Sequence, residues 1–137
     1  MIMKAPWTVV AAMSNRIQLP LGPLETKAKA MDEATVFARD VGVRDVIFES
    51  DSSTICHTLE DPTTTPISIS SILSGTRYRL HEFRAFESSH VRRQANESAN
   101  ALAAYAKDID FLVTWMEDCP PFIKSLVIQG AMLFSDI

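Results

Sequence analysis

Apolar positions along the first half of the chain fall into short runs separated by strong punctuation. From about Trp7 to Ile17 the sequence is rich in Val and Ala and then meets Leu19-Pro20-Leu21-Gly22-Pro23, the pattern of a strand running into a Pro/Gly loop. Pro23 suits a first helical turn. Leu24, Ala28, Met31, Thr35 and Ala38 keep a three-to-four spacing up to Val41, and Gly42 stands where a left-handed cap is needed. A helix over 23–41 is therefore predicted. Asp45-Val46-Ile47-Phe48 begins an apolar, β-branched strand that ends in Glu49-Ser50-Asp51, and α/β folds place their chemistry at the carboxyl ends of such strands. Ser52 is positioned to cap a second helix from about Ser53 to Leu59, which Asp61-Pro62-Thr63-Thr64-Thr65-Pro66 breaks as a surface loop.

Ile67, Ile69, Ile72, Leu73 and Leu80 predict a third helix over 67–80, and Glu82 to Ser88 alternates apolar and polar residues as a half-buried strand does. Asn96 can cap a fourth helix whose inner face is Ala99, Leu102, Ala103 and Ala106. After Pro120-Pro121 a last amphipathic helix is expected to about Phe134. No internal repeat is visible.

With 137 residues, 47% of them hydrophobic and 22% charged, the chain can bury one core but hardly two, so a single domain over 1–137 is expected. Cys56 and Cys119 have neither metal-ligand spacing nor further partners, which favours packing thiols in a reducing compartment. The apolar run after Lys4 is short and interrupted by Pro6 and Trp7, so it reads as a strand rather than a targeting segment. No stretch approaches the ~20 apolar residues of a membrane span. An intracellular home, nucleus or cytoplasm, follows as the expectation.

Net charge is −4, which argues against a protein whose main business is coating nucleic acid. Its distribution is uneven: residues 25–61 hold four Lys/Arg against nine Asp/Glu, a net of −5, whereas 77–107 hold six against three, a net of +3. Acidic and basic halves suit a metal-dependent nuclease, and they equally describe two ordinary solvated faces.

A helix ending Phe37-Ala38-Arg39-Asp40-Val41-Gly42-Val43, the strand with Glu49-Ser50-Asp51-Ser52, and His90-Val91-Arg92-Arg93-Gln94-Ala95-Asn96-Glu97-Ser98-Ala99-Asn100-Ala101-Leu102-Ala103 follow one another. Each motif alone is weak. Together they resemble the plant reverse-transcriptase-like branch of the type-1 ribonuclease H family, from roughly Val9 to Asp136, with Trp115 and Pro120-Pro121 similar to that family's closing segment. The resemblance implies an α/β ribonuclease H-like mixed sheet flanked by helices, here lacking the first one or two strands and so incomplete at the amino terminus. It implies hydrolysis of RNA in an RNA/DNA hybrid by four carboxylates holding two Mg²⁺ ions about 4 Å apart.

Carried over residue by residue, that set is depleted. The family's first acid lies in an opening Val-Asp-Gly strand, and no Asp precedes Asp32; the second position falls on Lys27, the third on Asp51 and the fourth on Asn100. One Asp, one Lys and one Asn have no net charge to hold a hard divalent ion, so no Mg²⁺ is expected to be bound, or only weakly by Asp51, and ribonuclease activity is expected to be lost. Lys27 is either a snorkelling surface lysine or a replacement for a metal, paired with Asp51. Asp51 and Ser52 are equally explained as a helix cap. His90 is expected to be packed or solvated rather than a general base, and His57 and His81 carry no signal.

Three readings stay open. One is a degenerate nucleic-acid-binding module using Ser52, Arg92, Arg93 and Asn96 near the phosphates of an RNA/DNA hybrid. The others are a fragment of an active nuclease with an upstream strand missing, and a structural relic that binds nothing. A sheet edge left open by the absent strand invites self-association.

Overall fold

Proline at the first turn and glycine just past the end delimit α1 (Pro23–Val41) in the computed structural model, which describes residues 1–4, 8–15, 21–110, 112–124 and 126. Gly42 is left-handed with φ 95°; its N–H bonds Arg39 O at 3.0 Å while Val43 N–H bonds Ala38 O at 3.0 Å, a Schellman closure. Apart from its chain neighbours, no atom lies within 4 Å of a Cβ at this position, so the cost of a side chain there is conformational alone. Gly42→Ala is expected to destabilise the protein by about 1 kcal/mol, measured as a lower urea midpoint at an unchanged m-value.

The described residues divide into two compact units, Leu19–Arg92 and Met1–Gln18 with Arg93–Ile137, each described by itself. In the first, α1 buries Ala28, Met31, Thr35 and Ala38, the stripe that its spacing predicts, against α3 (Ser70–Leu80). Asp32 ties the two helices: Thr76 Oγ1 donates to its Oδ1 at 2.9 Å, Arg79 forms an ion pair with it, and Lys29 Nζ lies 3.8 Å away. The strands β3 (Asp45–Ser50) and β4 (Ala85–His90) pair in parallel from Asp45↔Ala85 to Ser50↔His90. Between them in sequence, α2 (Ser53–Glu60) packs against β4, where Ser88 Oγ donates to Cys56 O at 3.4 Å. Phe48 and Phe83 meet edge to face at 5.8 Å, and Ile55, Ile69 and Leu73 are fully buried.

The second unit contains a three-stranded antiparallel sheet in the order β1 (Ile2–Lys4), β2 (Thr8–Asn15), β5 (Leu112–Met116). Helix α4 (Glu97–Tyr105) packs on β2, where buried Ser14 donates its hydroxyl to Leu102 O at 2.8 Å; Ala12, Leu102 and Ile123 form the core. Tyr105 stacks on Phe122 at 4.7 Å, and Trp115 is set edgewise against Phe122 and tilted against Tyr105.

The α/β class agrees with the sequence, but the pairing is different from one mixed sheet. The described strands form two ladders, and β2 pairs with β1 and β5. The strand predicted from Glu82 to Ser88 starts at Ala85, because Phe83 N–H still bonds Leu80 O at 3.1 Å and so belongs to the turn leaving α3. The helix expected over 67–80 is a 3₁₀ turn, Ile67–Ile69, leading into α3, and Ile67 is 93% exposed. On α4 only Leu102 is buried, whereas Ala99 and Ala103 face solvent. The ends of the strand predicted over Trp7 to Ile17, and the helix to Phe134, lie outside the described residues.

Candidate functional site

The turn Ser50-Asp51-Ser52 joins β3 to α2, and its own side chains shape it. Ser52 N–H bonds Ser50 Oγ at 3.1 Å, and Ser52 Oγ accepts from Ile55 N at 3.4 Å as the helix cap. Ser52 is buried, so its oxygen serves α2, a use that competes with the phosphate contact expected of it. Asp51 is left between strand end and cap, mostly covered at 17% side-chain exposure.

Facing it is Lys27 of α1, whose Nζ lies 3.1 Å from Asp51 Oδ1. Both groups belong to the same compact unit and approach from different elements, twenty-four residues apart in sequence. Lys27 is half exposed at 47%, so the pair contributes no more than about 1 kcal/mol to stability. Its chemical effect is larger than its energetic one. The ammonium lies within bonding distance of the Asp51 carboxylate, and an ammonium has no lone pair to donate to a metal. Among the described residues, no three His, Cys, Asp or Glu side chains converge to hold a metal ion. The donor set around Asp51 therefore does not fit Mg²⁺, which asks for oxygen ligands and net negative charge.

Asn100 lies on α4 in the other unit, half-buried in a groove of about 350 Å³ lined also by Arg93, Gln94 and Glu97. Arg92 follows the end of β4 and is exposed; Arg93 opens the 3₁₀ turn Arg93–Asn96 and is exposed as well. Asn96 occupies the cap position of α4 without a side-chain hydrogen bond to the helix, so its amide is not committed there.

A second groove, of about 440 Å³, runs along α2 beside the end of β4, with Ser53, His57 and Glu60 on one side and His90 on the other. Sequence patterns assign His57 no role, since a histidine in a short helix has no distinguishing neighbours in sequence. His90 is exposed, as expected of a solvated histidine. Cys56, beneath this groove, is buried, and burial together with Glu60 pushes its thiol up, which keeps it protonated and unreactive. At the opposite end of the β3–β4 ladder, Arg84 Nε bonds Asp45 Oδ1 at 2.9 Å and holds that carboxyl below the usual range.

A model of the reverse transcriptase-like family matches residues 5–106, a span that begins ahead of β2 and closes just after α4. Neither the curated proteins nor the solved structures give a match. No helix among the described residues is long and apolar enough to cross a membrane.

Proposed function

Because the chain belongs to the reverse transcriptase-like family of ribonuclease H-like proteins, we propose that it is a nucleic-acid-binding domain of that kind in which hybrid cleavage has been lost. The observation that carries the reading is the Lys27–Asp51 pair: a cation stands 3.1 Å from the remaining acid, at a position where the family resemblance calls for a carboxylate. The family generally uses Mg²⁺; here Lys27 supplies fixed positive charge beside Asp51. The turn that orients Asp51 is kept in shape by Ser50 and Ser52, so the strand-to-helix corner survives without the metal chemistry. One family match running through both units supports taking the chain as one domain.

Recognition would then rest on the basic stretch after β4. Arg92 and Arg93 are exposed at the junction between a strand end and the turn into α4, and their guanidinium forks suit phosphate oxygens. Asn96 and Asn100 add neutral amides, which can hydrogen-bond a sugar hydroxyl or phosphate without repelling it. Contacts of this kind position a nucleic acid without reading its bases.

The experiment is hybrid binding as a function of salt for the parent chain and for Arg92→Ala/Arg93→Ala. The parent should bind an RNA/DNA hybrid with affinity that falls as salt rises. The double variant should bind more weakly, with a slope of log affinity against log salt reduced by about 0.9 for each phosphate that is no longer neutralised. An unchanged affinity and slope would make the basic stretch a solvated surface only.

A further inference from the structure

The loop between α2 and α3 carries chemistry that nucleic-acid binding does not use. It runs Asp61-Pro62-Thr63-Thr64-Thr65-Pro66-Ile67, with a 3₁₀ turn over Pro62–Thr64 and exposed side chains at 62–64 and at Ile67. Thr65 and Pro66 are extended, with φ/ψ of −70°/122° and −59°/143°. That is the conformation in which a kinase cleft takes a peptide. A proline after the acceptor brings no N–H to leave unpaired in an apolar cleft, which is the selectivity rule of proline-directed kinases. Of the three threonines, Thr65 alone has it.

Arg77 of α3 waits over the same hydroxyl. Its Nη2 donates to Thr65 Oγ1 at 2.6 Å and to Thr58 O, in the last turn of α2, at 2.8 Å. Its Nε is buried and has no hydrogen-bond partner. A guanidinium with a buried, unfilled donor beside a hydroxyl is one acceptor short, and a phosphate on that hydroxyl would supply it. The acid nearest in the loop, Asp61, is already occupied by Thr63, through its N–H at 3.1 Å and its hydroxyl at 2.7 Å.

We propose that Thr65 is a phosphorylation site for a proline-directed protein kinase, with Arg77 as the group that receives the phosphate. In the transfer, Thr65 Oγ1 attacks the γ-phosphorus of ATP on the kinase. The Oγ1–P bond forms as the bond to the β,γ-bridging oxygen breaks, ADP leaves, and the hydroxyl proton passes to the kinase's carboxylate base. The product loses the donation of Thr65 Oγ1 to Pro62 O, now 2.8 Å, and gains a forked pair from Arg77 Nε and Nη2. The site is independent of whether the domain binds nucleic acid.

The whole chain is treated with a proline-directed kinase and ATP, the modified residue located by mass spectrometry, and the phosphate titrated by phosphorus NMR. Phosphate should appear on Thr65 in the folded protein and be lost in Thr65→Ala. Its second ionisation should lie below the ~6 of an exposed phosphothreonine and return towards that value in Arg77→Gln. Because Arg77 also holds α2, Arg77→Lys and the urea-unfolded parent chain serve as further comparisons; the lysine variant should give an intermediate shift and the unfolded chain none. A folded chain that takes no phosphate at Thr65, or a phosphate whose ionisation is the same in folded and unfolded protein, overturns the proposal.

Discussion

Incubated with an RNA/DNA hybrid and Mg²⁺ or Mn²⁺, the purified chain is expected to leave the hybrid intact, with no product above a no-enzyme control. Charge decides this. At about 4 Å a divalent ion gains between ~2 kcal/mol from Asp51 in water and ~8 kcal/mol at an effective dielectric of 20, and Lys27 at a similar distance takes back about the same amount. What remains is too little to strip hydration from Mg²⁺, which parts with its waters reluctantly. Gel or fluorescence assays across metal concentration measure the outcome. Metal-dependent cleavage that disappears in Asp51→Asn would show that the remaining carboxylate works in catalysis and would sink the reading of a lost activity.

Reversing the charge at one position should restore part of the metal site. Lys27→Glu converts an ammonium 3.1 Å from Asp51 Oδ1 into a second carboxylate, so the local formal charge goes from zero to −2. Even at the dielectric of water each unit charge contributes ~2 kcal/mol towards a divalent ion at about 4 Å. An increase in Mn²⁺ affinity of at least about tenfold, ~1.4 kcal/mol, is therefore the modest end of the expectation. The fold should tolerate the change, since Lys27 is half exposed and the pair is worth about 1 kcal/mol or less. Hybrid cleavage should stay absent, because the variant still has Asn100, a neutral amide, where the family resemblance calls for another acid. Calorimetric titration of Mn²⁺ into parent and variant checks the first claim; equal affinities would mean that Lys27 does not stand where the family's second acid stood.

Local signals gave away the elements around this site. Pro23, the apolar stripe and Gly42 mark α1, and Asp45 to Ser50 forms a strand with those limits. Ser52 caps α2 as its type and place suggest, and Lys27 reaches Asp51 because both follow from those two elements. Features set by distant partners were not legible. β5 is five residues beside a Pro-Pro pair, and only its ladder with β2, from Ala11↔Met116 to Asn15↔Leu112, makes it a strand. Helix α4 is so rich in alanine that its sequence offers little amphipathic contrast, and Leu102 alone marks the buried side. The Asp32 tie between α1 and α3 joins residues 44 apart through Thr76, a separation at which sequence patterns are silent. The groove bearing His57 and His90 appears only once β4 lies beside α2.

The cluster of Tyr105, Trp115 and Phe122 has a practical optical consequence. Trp115 falls in the unit that contains the antiparallel sheet, and 19–92 holds no tryptophan. Indole emission on heating or in denaturant therefore watches that unit alone, while the far-ultraviolet ellipticity of α1, α2 and α3 watches chiefly the other. Comparing the two transition curves in one sample tells whether the units melt together or in turn, without a label or a mutation.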